Sequence, residues 1–305
     1  MRFSVIVPLY NGAGFIKAAL ESVISQTYKD YEIVIVNDGS PDNSGRIVRD
    51  FISVHKGISF VYVCQPNKGL GAARNAAICS SRGDIMALLD QDDIWYPGKL
   101  EEVNRIFMGN PDIDIVCHSQ NVRTNGKITH CFKPETIKDD VYRQMLFANK
   151  FSDNIFSTSA VAFKRDIIDK IGGFSEDRNN LHFVEDYDFW LRMAREGCKF
   201  YSLDKILGEC SKHEKNFSRD LDTMLSGELR VLRAHYKDYK ISHILDIYLM
   251  RRRIAIVYFR VYRKYLTGRR PVKGCLCLMK AVIQDPFFYT YFIKKLINRG
   301  KRSLP

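Results

Sequence analysis

No stretch of about eighteen apolar residues occurs anywhere in the 305-residue chain, which excludes a membrane-spanning helix of ordinary length. No CxxC pair occurs either. The eight cysteines are scattered, and Cys275 and Cys277 form a CxC that lacks the second pair zinc would need. Buried, reduced thiols are expected, as at Cys79 and Cys117. A GxGxxG run and the phosphate-loop spacing are both absent, so neither fingerprint of nucleotide phosphates is present. Internal repeats and low-complexity segments are lacking. No nucleic-acid module is recognisable, and nucleic acid is not an expected partner. The opening Met1-Arg2-Phe3-Ser4-Val5-Ile6-Val7-Pro8 is short and strand-like, unlike a signal peptide, so the expectation is a cytoplasmic protein.

What is present has the composition of a soluble globular protein, with 46% hydrophobic and 27% charged residues. The length suits one large domain, or one domain with an appendage. The net charge of +12 is unevenly spread. Residues 230–305 carry 19 Lys+Arg and 3 Asp+Glu, a balance of +16. The 28 and 32 left to residues 1–229 give −4. This shift in composition marks a candidate boundary.

The first 120 residues alternate between β-branched runs and segments of helical periodicity. Strands are expected at Phe3–Val7, Tyr31–Val36, Ile58–Val63, Ile85–Leu89 and Ile113–Cys117. Helices are expected after Phe15 and over Asn43–Val54, Gly71–Ser81 and Pro97–Met108. Such alternation predicts an α/β fold with a mostly parallel central sheet flanked by helices. Further on, Ser157–Phe163 reads as a strand and Asp186–Glu196 as a helix. Residues 120 to 150 show no pattern.

Ligands of open α/β sheets bind beyond the carboxyl ends of the strands. Four polar, turn-forming clusters follow the first four strands: Pro8-Leu9-Tyr10-Asn11-Gly12, Asn37-Asp38-Gly39-Ser40, Gln65-Pro66-Asn67-Lys68-Gly69-Leu70-Gly71, and Asp90-Gln91-Asp92-Asp93. Three carboxylates in the last cluster repel one another unless a cation or hydrogen-bond donors compensate them. Their oxygens suit a hard divalent ion that also bridges substrate phosphates. The plainer reading is an acidic turn.

Asp38 could accept from a base or ribose, or close an Asx-turn. The glycines before the third helix could turn backbone N–H groups toward an anion. Arg74, in that helix's first turn, could pair with a phosphate or lie solvated. Glu185-Asp186-Tyr187-Asp188 is a second acidic cluster, and Asp186 is either a general base or a helix N-cap. His213 is either a metal or phosphate ligand or a structural histidine.

In order and spacing these motifs resemble the family 2 glycosyltransferases, whose fold is the GT-A fold. Ser4–Asn11, Val36–Ser40, Asn67–Asn75, Leu89–Asp93, Gly172-Gly173-Phe174 and Glu185–Arg192 carry the likeness, which covers about residues 1–215. The resemblance implies a Rossmann-like catalytic domain over 1–220. Its nucleotide-sugar-binding half would be 1–120 and its acceptor-binding half 121–220. A basic, mainly helical region would follow over 221–305. It also implies roles. Pro8, Tyr10, Asn11 and Asp38 would bind the nucleotide-sugar, together with Asn67, Gly69, Arg74, Asp90 and Gln91. Asp92, with Asp90 and His213, would hold Mn²⁺ or Mg²⁺, and Asp93 would be a helper or a helix cap. Asp186 would be the catalytic base, with Glu185 beside it. The QxxRW motif of processive synthases is missing after Asp186, which points to transfer of a single sugar.

The implied reaction is inverting transfer from a nucleotide-diphospho-sugar, UDP foremost, to a hydroxyl of a glycan or lipid-linked acceptor. Segments near His118–Gln120 and Ser157–Ala160 would border the hexose. A nucleotidyltransferase would want a basic, glycine-rich loop after the first strand, and Pro8–Gly12 is not one. A non-catalytic binding module would have lost Asp92 or Asp186, and both are present. In residues 241–264 basic and apolar side chains alternate. Farther on, Phe287–Phe292 meets Lys294, Lys295, Arg299, Lys301 and Arg302. This region is expected to attach peripherally to an anionic membrane face, or else to pack as a helical subdomain. Homo-oligomerisation is left open.

Overall fold

The computed structural model describes residues 1–134, 136–137, 140–147, 156–177, 184–213, 221–268 and 270–287. The chain forms two compact units, Met1–Val141 with Asn154–Phe217, and Tyr142–Asp153 with Ser218–Pro305.

In the first unit the expected alternation is realised as β1 (Phe3–Leu9), α1 (Ile16–Ile24), β2 (Tyr31–Asp38), α2 (Ser44–Val54), β3 (Ser59–Gln65), α3 (Leu70–Ser80) and β4 (Ile85–Leu88). These strands lie side by side in the order β3-β2-β1-β4, all parallel. β1, β2 and β4 are buried along their whole length, as near-continuous apolar runs should be when helices cover both faces. β3, at the edge, is only partly covered. Under β1 and β2 the core joins Val5, Val7, Ile33 and Ile35 to Ala19, Leu20 and Val23 of α1.

The chain continues through β5 (Ile94–Trp95), α4 (Lys99–Gly109), β6 (Ile115–Thr124), β7 (Lys127–Phe132), α5 (Val141–Leu146), β8 (Val161–Lys164), α6 (Ile167–Ile171), α7 (Glu185–Arg195) and β9 (Phe200–Lys212). The sheet extends from β4 through β8, β6 and β9 to β5, with β7 on β6. β8 runs antiparallel to both its neighbours, while β6 and β9 are parallel. The fold is therefore mixed α/β, with a parallel half that carries the predicted loops.

Three strands escaped the sequence reading, β5, β7 and β9. β9 mixes Asp204, Lys205 and Glu209 into its run, and its register against β6 shifts after His118 and again after Ser119. Such bulges erase the period of two that marks a strand. The expected strand over 157–163 begins instead as a 3₁₀ turn, Thr158–Ala160. Cys117 is buried as expected, but Cys79 is exposed, because it lies on the outer face of α3.

The second unit contains all of α5 but its first residue, with α8 (Leu221–Asp238), α9 (Ile244–Thr267) and α10 (Pro271–Gln284). Pro271 opens α10 at a position where its missing N–H costs nothing. α9 begins at a capping box formed by His243 and Asp246, and Arg143 pairs with Asp246 at 2.7 Å. Ile256, Val257, Phe259 and Val261 of α9 are buried. So are Arg253 and Arg260, both paired with the buried Glu228. Much of the alternating basic and apolar run over 241–264 is thus internal packing, because α8 and α10 enclose that part of α9. The run from Phe288 onward, with Lys294, Lys295, Arg299, Lys301 and Arg302, lies outside the described residues.

Candidate active site

Because β1 to β4 are parallel, the four predicted clusters emerge at one edge of the sheet. β1 has β2 on one side and β4 on the other, so this edge contains the point at which the strand order reverses. Across that point the Gln91 side chain grips the backbone of Tyr10. Its Nε2 donates to the Tyr10 carbonyl and its Oε1 accepts from the Tyr10 N–H, both at 2.9 Å. Asn11 then turns with φ 54° and donates its N–H to Ser40 Oγ. A Cβ at Gly12 would fall 2.3 Å from Gln91 Oε1, so a side chain there would push the Gln91 amide off the Tyr10 backbone. Pro8 is buried in β1, whereas Tyr10 is half-buried and Asn11 exposed.

Asp38 makes no Asx-turn; Asn37 plays that part, accepting from the Ser40 N–H at 2.9 Å. The Asp38 carboxylate reaches across to the next loop. Oδ1 accepts from Gln65 Nε2 and the Lys68 N–H, and Oδ2 from the Gly69 N–H, each at 2.8 Å. The N–H groups at the start of α3 therefore point at an internal anion. Gly69, with φ 95°, lets the chain turn under that carboxylate, and half-buried Asn67 lies in the same loop.

Past β4, Asp90 and Asp92 are half-buried and Asp93 is buried. Burial, reinforced by the Asp90 charge, holds the Asp92 carboxyl above its ordinary range. Asp93 is pushed up further by burial and by both neighbours. It caps no helix. It accepts from the Ser211 N–H of β9 at 2.8 Å. His213 Nε2 lies 2.9 Å from Asp92 Oδ2, and its ring stacks on Phe15 with centroids 4.3 Å apart. Two mutually repelling carboxylates beside an imidazole nitrogen form a donor set that fits a hard divalent ion. Among the described residues no group of three His, Cys, Asp or Glu side chains is gathered closely enough to cage a metal alone.

Of the two sequence expectations for Arg74, the solvated one fails, because the side chain is only 2% exposed. Its two terminal nitrogens bind carboxylates, Asp90 at 2.9 Å and Glu185 at 2.6 Å. Phe174, of the Gly172-Gly173-Phe174 motif, lies against the guanidinium at 5.3 Å. Arg74 thus joins the acids after β4 to those opening α7. Asp186 is not the N-cap of α7, a position held by Val184. Its Oδ2 accepts from Thr158 Oγ1 at 3.1 Å. Burial outweighs the lowering pull of Arg74 and leaves both acids raised, Glu185 to about 7.

The 3₁₀ turn lies in the segment expected to border the hexose, and it makes contacts which that expectation did not name. Thr158 donates to Asp186, and the next residue, Ser159, takes the Asp90 N–H on its Oγ at 3.0 Å. The Ser159 carbonyl accepts from Trp95 Nε1 and from the buried Lys99 Nζ, both at 2.8 Å. Nothing in the short run Ser157–Ala160 announces this, since the contacts come from the loop after β4 and from β5, α4 and α7. His118 and Gln120 are fully buried in β6.

The family model for Glycosyl transferase family 2 matches residues 4–172. The chain belongs to the family 2 glycosyltransferases. An "Uncharacterized glycosyltransferase" of Haemophilus influenzae is 31% identical over 279 residues, 86% of this chain and 90% of the relative. A second, from Rickettsia prowazekii, is 29% identical over 67% of this chain, which spans 62% of that relative's length. The structure of S. aureus TarS 1-349 in complex with UDP has a similar fold. Its TM-score is 0.57 at 16% identity, with 97% of this chain and 92% of TarS 1-349 covered. The mannosyltransferase PcManGT from Pyrobaculum calidifontis, in complex with GDP-Man and Mn²⁺, gives 0.62 at 17%, over 94% and 87%. As a family 2 glycosyltransferase, the chain leaves no place for the nucleotidyltransferase reading.

Proposed function

We propose that this glycosyltransferase moves one sugar, with inversion, from a nucleotide-diphospho-sugar to a hydroxyl of a glycan or lipid-linked acceptor in surface polysaccharide or glycolipid synthesis. UDP-hexose or UDP-N-acetylhexosamine is the donor class we favour. The observation that carries the reading is the Arg74 bridge, which gathers the acids after β4 and the acids of α7 into one site.

In this reading the nucleoside lies over the ends of β1 to β3, against Tyr10, Asn11 and Asn67. Asp38 Oδ2 makes one hydrogen bond, and a carboxylate oxygen can accept two, so it can take an N–H from the base. Gln91 and Gly69 act through the backbone they shape, and Pro8 by fixing the end of β1. Asp92, Asp90 and His213 would hold Mn²⁺ or Mg²⁺, which supplies Lewis-acid stabilisation of the departing diphosphate. Asp186 takes the proton of the acceptor hydroxyl as its oxygen attacks the anomeric carbon from the face opposite the diphosphate. Thr158 orients that carboxylate, and Glu185 with Arg74 tunes its charge.

Calorimetric titration with UDP, GDP and dTDP, each with and without Mn²⁺, tests the donor side. Binding of one nucleotide only with the metal is the expected result. Binding indifferent to metal would remove Asp92 from its assigned role. Failure of all three to bind would overturn the donor assignment.

A further inference from the structure

α10 is apolar almost all round, yet only one side of it is covered. Gly274, Cys277 and Ala281 are buried, at helical spacing. On the opposite side Val272, Leu276, Met279 and Ile283 form a continuous stripe, 53 to 75% exposed. Phe287, just past the helix, is 68% exposed. A helix apolar on every side is ordinarily buried on every side, and a contiguous exposed stripe marks a surface that is covered in use.

A second element adjoins the stripe. Arg251 of α9 donates to the carbonyls of Ile283 and Gln284, both at 3.0 Å, and so closes the C-terminal end of α10. That contact brings the first two turns of α9 beside this end, where Ile244 is 87% and Ile247 46% exposed. No helix among the described residues is long and apolar enough to cross a membrane.

The charge around the stripe selects its partner. Between residues 239 and 287 the carboxylates are Asp246 and Asp285, and both are buried. The exposed ionic side chains of this stretch, Arg251, Arg270 and Lys280 among them, are all basic, and Lys273 of α10 is paired with an acid, Asp222 of α8. A second copy would set the same basic rim against itself. Residues 288–305 hold five Lys and Arg and no acid, so that segment would also add positive charge to positive charge. An anionic bilayer offers what both lack, an apolar layer beneath a negative surface.

We propose that the outward face of α10, together with the first two turns of α9, docks on the surface of an anionic lipid bilayer. This face shares only the start of α9 and Phe287 with the run the sequence suggested, because the middle of α9 is internal and the stripe of α10 is not. The inference does not depend on the transfer chemistry proposed above.

The test is co-sedimentation of the full chain with vesicles of phosphatidylcholine alone and with phosphatidylglycerol added. Binding to the anionic vesicles, weakened by salt, is expected, with little binding to the neutral ones. Leu276→Gln, Met279→Gln and Ile283→Gln together should lower partitioning at least about tenfold with the melting temperature unchanged. Should that variant fold poorly, Val272→Gln with Phe287→Gln removes the ends of the stripe and should act in the same direction. Equal vesicle binding by the parent chain and a folded variant would overturn the proposal. So would a variant that loses self-association in sedimentation velocity yet keeps its vesicle binding, since the face would then belong to a second copy. Nucleotide titration of the same samples reports separately on the donor site.

Discussion

Arg74 and Glu185 are 111 positions apart in the chain and 2.6 Å apart in the fold. The same guanidinium holds Asp90 at 2.9 Å, so one buried cation links two acidic clusters that must act together. Removing one partner of a buried ion pair leaves the other charged and unsolvated, which costs about 3–5 kcal/mol. Arg74→Met is therefore expected to lower unfolding stability by about that amount in denaturant titration. Arg74→Lys should recover little, because a single ammonium cannot present two parallel donors to two carboxylates.

Asp186→Asn keeps the size and the Thr158 contact but cannot take a proton. Transfer should fall by roughly a hundredfold or more, with nucleotide affinity retained. Thr158→Val should lower kcat without changing KM for the donor. Unaltered turnover in Asp186→Asn would remove it from the role of base.

The pH profile carries a sign. Burial, then the Asp90 charge, raises the Asp186 carboxyl, while Arg74 lowers it. A protonated Asp186 cannot act as base, so kcat/KM should rise with pH through this group. The acid limb should lie above the ordinary carboxylate range of about 4. In Arg74→Met the lowering influence is gone, and the limb should move to higher pH. A limb that stayed in place would show that another group controls it.

Chelation and Asp92→Ala should both abolish transfer if the ion is held as proposed. His213→Ala should weaken metal-dependent nucleotide binding more modestly, because it removes one of three donors. Full activity of the parent chain in excess EDTA would refute the metal assignment.

Gly71 tests the packing beside the site. A Cβ there would lie 2.0 Å from the Ser175 carbonyl oxygen and 3.7 Å from Glu185 Cγ. The nearer obstacle is backbone, which cannot rotate away. Gly71→Ala should destabilise by about 1–3 kcal/mol and lower activity by shifting the segment after Phe174.

Much of the nucleotide half was legible in the sequence. β-branched runs ending in Asn, Asp and Gly are local signals, and local signals suffice to place loops at the ends of parallel strands. The motif order carried the family for the same reason. What Asp38 and Gln91 touch was not legible, because each reaches a loop that is distant in sequence. Thr158 and Ser159 lay in a run too short to show a period, and their contacts come from four other segments.

The sequence by itself determined the strand-and-helix alternation, the four loops, the acidic motifs and the uneven charge, since each depends on residue type and near-neighbour spacing. Only the tertiary structure decided that Arg74 is an internal counter-ion, that Asp186 meets Thr158, and that the middle of α9 is enclosed while α10 shows an apolar face. Those facts depend on which surfaces pack together, and burial is a property of the pair of surfaces, which neither segment encodes alone.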